Sequence, residues 1–238
     1  MHELTKLGRK YGTDKAGGRA GNHTFTEQVY GPLFEKRKED KLHLLEIGAG
    51  QVGGSHKMWK EYFNQGEIYC MDPFFLGDQT VTRSELEGLG VHVIQGNQLR
   101  REDLIRAGSS CEGGFDYIID DAAHVPDAIQ LSLGTLFPYL KSGGFYIVED
   151  LATASRRGQA LEATNANLAK LDVRGLMTER HIKDYSLEES LTAFDEGKPW
   201  LSEILTDNEK QYLVENIRAW KILDDGHRLK NIALIKKK

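Results

Sequence analysis

Apolar residues along this chain come in short runs separated by polar and glycine-rich stretches, and the runs alternate in kind. Leu42-His43-Leu44-Leu45-Glu46-Ile47-Gly48 is short and mostly apolar, as a buried strand requires. The turn Gly48-Ala49-Gly50-Gln51-Val52-Gly53-Gly54 follows it, then a helical stretch from about Ser55 to Phe63. Glu67–Asp72 predicts a second strand, and Gly90–Gln98 a third with a polar end. A helix from about Arg101 to Ala107 leads to a fourth strand over 115–120. The next helix, from about Val125 to Leu140, turns Ile129, Leu133, Leu136 and Leu140 inward and is ended by Lys141-Ser142-Gly143-Gly144. A fifth strand is expected over 145–149. Strands alternating with helices in this order predict a doubly wound α/β fold with a mostly parallel sheet.

The two ends of the chain depart from that rhythm. Residues 1 to about 40 read as an ordered, partly helical lead-in: Gly12, Gly17, Gly18 and Gly21 break any long helix between Lys10 and Asn22. Phe25, Val29, Leu33 and Phe34 then have a helical period that Gly31-Pro32 interrupts. Residues 151–217 are polar and helical in pieces, with a helix from about Asn208 to Ile217 and with Trp200 placed to pack them onto the body; they are a candidate for substrate recognition or subunit contacts. Ala219–Leu223 and Asn231–Ile235, joined through Asp224-Asp225-Gly226-His227, read as an antiparallel hairpin. The domain organisation expected is a lead-in or lid over 1–40 and one domain over 41–238, with 151–217 as an insert.

Candidate chemistry sits where the apolar runs stop. Phe115-Asp116-Tyr117-Ile118-Ile119 ends in Asp120-Asp121-Ala122-Ala123-His124, and Phe145-Tyr146-Ile147-Val148 ends in Glu149-Asp150. The carboxyl ends of strands in an open α/β sheet face the ligand crevice, so these residues are expected on one rim, as an oxygen-rich metal site with a base attached. Gly48, Gly50 and Gly53 satisfy the spacing of a nucleotide cradle, and Asp72, about twenty residues on, suits a carboxylate that meets ribose hydroxyls. Asn97 and Gln98, at the polar end of the third strand, suit the hydrogen-bonding edge of a purine. The glycines alone do not choose between cofactors, because nicotinamide and flavin enzymes share their spacing.

Composition narrows the class. The chain has 238 residues, 39% of them hydrophobic and 28% charged, and no apolar stretch approaches the length that spans a bilayer. The formal net charge of -5 gives no general pull towards nucleic acid. Lys236-Lys237-Lys238 reads as a solvated end. Two cysteines, Cys70 and Cys111, argue against a disulfide framework and for a reducing, cytoplasmic setting, and the first residues lack the apolar core of a secretory signal. Expected partners are a small molecule and a second copy of the chain, with neither nucleic acid nor membrane.

Taken together, Tyr11-Gly12-Thr13-Asp14-Lys15 ahead of His23, Leu45-Glu46-Ile47-Gly48, Trp59, Asp120-Asp121-x-x-His124 and Glu149-Asp150 resemble a known family. It is the metal- and S-adenosylmethionine-dependent O-methyltransferases of the mycinamicin type, which modify sugars of macrolides and other natural products. The resemblance covers most of residues 8–151 and returns in the final strands. It implies a class I methyltransferase sheet, mostly parallel with an antiparallel C-terminal hairpin strand. It also implies that Asp121, Glu149 and Asp150 hold a divalent cation, usually magnesium, and that His124 is the general base. Glu46, Gly48 and Gly50 would line the S-adenosylmethionine, with Asp72 on its ribose and Asp120 in support. Tyr11 and Thr13 would belong to the lead-in that closes over the cofactor or active site. Ala122-Ala123 stands where the family often has Gly-Ser, and Asn97 where it often has Asp.

This residue set suits the chemistry. Methyl transfer from a sulfonium is an in-line displacement, and the acceptor oxygen has to be positioned and made nucleophilic. A cation held by carboxylates lowers a hydroxyl's pKa and chelates a vicinal diol, and a neutral histidine takes the proton. The alternatives are a catechol-type acceptor, which would ask for an apolar gate near Trp59, Trp200 or Phe74, a nicotinamide-dependent oxidoreductase, and a non-catalytic scaffold. Hydride transfer has no use for the acid cluster.

Overall fold

The computed structural model describes residues 1–17, 23–74, 79–151, 184–224 and 231–238. Residues 152–183 of the expected insert and the hairpin turn at 225–230 lie outside the described residues, as do Gly18 and Gly21. The chain divides into two compact units, Met1–Gln95 and Gly96–Lys238.

The first unit is built on three parallel strands, β1 (His43–Ile47), β2 (Glu67–Asp72) and β3 (His92–Gln95), in the order β3-β2-β1. Leu44 pairs with Ile68 and Tyr69 with His92. Leu44, Leu45, Ile47, Ile68, Cys70 and Met71 are buried, so β1 and β2 are apolar on both faces, as parallel strands are, while the edge strand β3 keeps His92 and Gln95 exposed. The lead-in carries α1 (Glu3–Tyr11), which starts where the His2 ring accepts the Leu4 N–H and ends at Gly12 in the left-handed region, φ 73°. A π-helical turn, Thr26–Tyr30, runs directly into α2 (Gly31–Phe34). Pro32 lies in the first turn of α2, a position that proline tolerates. Tyr30 and Phe34 then meet Trp59 of α3 (Gly54–Tyr62) edge to face, with centroids 5.1 and 5.6 Å apart. A further short helix, α4 (Arg83–Gly88), was not expected from the apolar pattern. It buries only Leu86 and is fixed by a reciprocal capping box between Thr82 and Glu85.

The second unit holds α5 (Arg101–Gly108), β4 (Phe115–Asp120), α6 (Pro126–Leu136), β5 (Leu140–Val148), α7 (Leu187–Asp195), α8 (Asp207–Asn216), β6 (Ile217–Asp224) and β7 (Asn231–Lys237). Its strands lie in the order β4-β5-β7-β6, the first pair parallel and the last two pairings antiparallel. The expected C-terminal hairpin is therefore present. Helix α6 is buried on every side, which marks it as a core helix. Gln130 on α6 donates to the Leu201 and Tyr185 carbonyls and accepts from the buried Trp200 indole at 2.9 Å, which fastens residues 185–201 to the helix.

Two expectations change here. The helix stops at Leu136 instead of running to Leu140, because a 3-10 turn containing Pro138 intervenes and Leu140 already pairs with Phe115. The register then slips, Lys141–Gly144 loop out with Gly143 at φ 78°, and regular pairing resumes at Tyr117 and Phe145. Nor is Lys237 a solvated end. It is 7% exposed, and its ammonium donates to the carbonyls of Phe137, Pro138 and Leu140 at 3.1, 3.1 and 2.7 Å, satisfying groups left open after α6.

Cys70 lies fully buried on β2, its thiol pKa pushed well up by burial and then by the Asp72 and Glu46 charges. Cys111 is buried ahead of β4. Among the described residues no helix is long and apolar enough to cross a membrane.

Candidate active site

In the first unit β1 runs into the glycine turn, with Gly48, Gly50 and Gly53 at φ 100°, 60° and 65°. These are values that side-chain-bearing residues avoid. A Cβ on Gly50 would meet nothing within 4 Å, so this point of the turn faces open space. Asp72, at the end of β2 and 4% exposed, organises the turn from behind. Its Oδ2 accepts the Ala49 N–H at 2.8 Å, and its Oδ1 accepts from the Phe74 N–H at 2.6 Å and the Gln79 amide at 3.1 Å. Gln79 also donates to the Gly50 carbonyl.

Glu46 is fully buried. Its Oε2 accepts the Trp59 indole N–H at 2.9 Å and lies 3.5 Å from His56 Nδ1, and its Oε1 lies 3.3 Å from the ammonium of Lys15. Lys15 is itself fully buried. A buried carboxylate of this kind is tolerable only with a cation and donors around it. The lead-in reaches it because α3 begins with glycine: a Cβ at Gly54 would stand 2.7 Å from the Tyr11 carbonyl and 3.0 Å from the Thr13 nitrogen. Thr13 is buried and caps the turn at Lys15, and the Tyr11 hydroxyl bonds Glu61, beside Lys10. His23 is buried and stacked on Phe25 at 4.4 Å.

The second unit gathers Asp121, His124 and Asp150, with one ligand atom of each within 4.8 Å of the others. His124 Nε2 is 3.6 Å from Asp121 Oδ1 and 3.9 Å from Asp150 Oδ2, and the side chains remain 26%, 22% and 22% exposed. His124 and Asp150 have φ of 51° and 55°, conformations a non-glycine residue adopts at a cost of about 1–3 kcal/mol. The two carboxylates offer oxygen donors suited to a hard divalent cation, with the imidazole nitrogen of His124 beside them. Glu149 is not one of the three: it is 1% exposed, and its N–H donates to the Asp120 carbonyl at 3.0 Å.

Behind this group lies a buried polar network. Asp120 is 1% exposed and receives the Gln98 amide at 2.7 Å, the Ser132 hydroxyl and the Tyr146 hydroxyl at 3.4 Å. Burial pushes its carboxyl up to about 6, and the Ser132 bond, the His124 charge and the Gln98 bond restrain the rise. Gln98, 5% exposed, also accepts the Ala123 N–H at 3.0 Å. Asn97 is half-buried, and its Oδ1 accepts the Leu99 N–H at 2.9 Å. Lys15, His56 and Ser132 were not foreseen in these roles. Ser132 carried one signal, a hydroxyl between Leu131 and Leu133 on the buried helix α6.

No protein-family model matches the chain. Among solved structures it is similar to the MycE methyltransferase from the mycinamycin biosynthetic pathway in complex with Mg and SAH, with a TM-score of 0.68 and 26% identity over 99% of this chain and 54% of that one. A MycE complex that also holds mycinamycin VI gives the same values. The fold is that of the class I methyltransferases, doubly wound and mostly parallel with antiparallel C-terminal strands. By sequence, the chain's curated relatives are macrolide and tetracenomycin sugar O-methyltransferases. One is the 8-demethyl-8-(2-methoxy-alpha-L-rhamnosyl)-tetracenomycin-C 3'-O-methyltransferase of Streptomyces olivaceus, 32% identical over 79% of this chain and 47% of the relative. Another is the mycinamicin VI 2''-O-methyltransferase of Micromonospora griseorubida, 34% identical over 64% of this chain and 37% of the relative. The chain thus spans less than half the length of these relatives.

Proposed function

We propose that this chain is an S-adenosylmethionine- and Mg2+-dependent O-methyltransferase acting on one hydroxyl of a vicinal diol on a sugar of a natural product or its precursor. The observation that carries the reading is the convergence of Asp121, His124 and Asp150, partly exposed, with His124 and Asp150 on strained backbone. Asp121 and Asp150 would hold the cation, with Glu149 as the third carboxylate that the family resemblance assigns. When bound, the cation supplies Lewis acidity that makes a chelated hydroxyl easier to deprotonate. His124 Nε2 takes that proton, and the acceptor oxygen forms its bond to the methyl carbon as the carbon–sulfur bond breaks, leaving S-adenosylhomocysteine. Glu46, Gly48, Gly50 and Asp72 form the cofactor side, which Tyr11 and Thr13 of the lead-in help to close. The relatives' names and the MycE complex with mycinamycin VI support a glycoside acceptor. The catechol alternative loses support because Trp59 and Trp200 are core residues with their indoles engaged on Glu46 and Gln130.

The test is transfer of labelled methyl from S-adenosylmethionine to a panel of glycosides, read by mass spectrometry with Mg2+ or with EDTA. Mg2+-dependent transfer is expected, with His124→Ala slower by about 10²–10⁴-fold at neutral pH and S-adenosylhomocysteine affinity unchanged. Full turnover in EDTA, or an undiminished His124→Ala variant, would sink the assignment of roles. Calorimetry that found NAD binding and none of S-adenosylhomocysteine would sink the class of reaction.

A further inference from the structure

We infer that Gln98 is a positioning residue for the loop that carries Asp121 and His124, joining that loop to the end of β4, rather than a contact to the cofactor's purine. The inference rests on the metal-and-base reading of the Asp121–His124–Asp150 group. Gln98 is 5% exposed, and its side chain touches the network at three points. The amide nitrogen donates to Asp120 Oδ1 at 2.7 Å and to Ser132 Oγ at 3.1 Å, and the amide oxygen accepts the Ala123 N–H at 3.0 Å. The orientation of the amide is forced: a backbone N–H can only donate, so the oxygen must face Ala123, and the nitrogen then faces the Asp120 carboxylate. Both N–H groups and one lone pair of the oxygen are thereby occupied. The second lone pair of the oxygen is the one position left on the side chain for a purine's amino group, and a purine acceptor atom would have to displace the bond to Asp120 or to Ser132.

The anchored atoms are the ones that matter to the site. Asp120 precedes the proposed ligand Asp121, and Ala123 precedes the proposed base His124, so Gln98 grips both sides of the ligand-bearing segment. Ser132, on α6, closes the arrangement by bonding both Gln98 and Asp120. His124 sits at φ 51°, an uphill conformation that a peptide relaxes out of unless neighbouring bonds hold it. The Ala123 N–H bond to Gln98 is immediately upstream of that strained residue. Partners that orient ligands in this way typically change metal affinity by about 10–100-fold when removed.

The experiment compares wild-type protein with Gln98→Met, which keeps the side-chain volume and removes the polar atoms, and with Ser132→Ala. Mn2+ affinity is read by electron paramagnetic resonance and S-adenosylhomocysteine affinity by calorimetry. Gln98→Met is expected to weaken Mn2+ binding about 10-fold or more with cofactor affinity unchanged. Ser132→Ala is expected to shift Mn2+ binding in the same direction by less, which keeps the inference open to test if Gln98→Met does not fold. Loss of cofactor affinity with unchanged Mn2+ binding would overturn the inference and return Gln98 to the purine. Unchanged values for both ligands, or equal weakening of both as general loosening would give, would also overturn it. Wild-type protein that took up no Mn2+ would instead overturn the reading of the site, and the inference with it.

Discussion

The acids of the two units live in opposite circumstances. Glu46 and Asp72 of the first unit are 0% and 4% exposed, and their oxygens lie against Trp59, Lys15, the Ala49 and Phe74 N–H groups and Gln79. Asp121 and Asp150 of the second keep 22% of their side chains exposed, and the His124 nitrogen stands 3.6 and 3.9 Å away, beyond hydrogen-bond length. Carboxylates of the first kind are part of the folding energetics. Those of the second kind bring like charges together, with Asp150 on strained backbone, an arrangement that a bound cation would relieve.

The largest expected effect tests the first half of that contrast. Lys15→Ala leaves the Glu46 charge buried without its cation and should destabilise the protein by about 3–5 kcal/mol in urea unfolding. Adding Glu46→Gln should restore part of the loss, and a Lys15→Ala variant as stable as wild type would break the comparison. A somewhat smaller effect concerns Asp120, which has the burial of the first kind and the address of the second. Its folded pKa is raised from the ordinary 3.8 to about 6, so the protonated form is favoured in the folded state. The associated stability is fully present below about pH 4 and is lost as pH rises through about 6, a change of about 3 kcal/mol. Measured in EDTA against Asp120→Asn, wild-type stability should fall across that window, and a difference independent of pH would contradict burial as the cause. The smallest effect sharpens the second half: Asp121→Asn should change stability in EDTA by no more than about 1 kcal/mol while abolishing Mn2+ binding.

The contrast also explains what could be read in the sequence. The acids that end β4 and β5 and the glycine turn after β1 were legible because strand ends and positive-φ turns restrict residue choice locally. Asp121, His124 and Asp150 were thus found together as expected. The partners of buried charges were not legible: nothing in the pattern of Lys15 or Gln98 names Glu46 or Asp120, since those bonds exist only once the chain is folded. Helix α4 escaped because one buried leucine gives no period, although Thr82 and Glu85 carried its capping signal. Lys237 reads as surface by residue type, and only the open carbonyls after α6 make it an internal donor.

The placement of the cysteines has a consequence for watching this protein move. Cys70 belongs to the first unit and Cys111 to the second, and both are buried. A thiol reacts with an alkylating reagent as the thiolate and only when it is reached, so labelling of each waits on an opening of its surroundings. The wild-type chain thus carries an internal clock in each unit. Peptide mass spectra from a labelling time course would show whether the two units breathe together or separately, with no engineered probe.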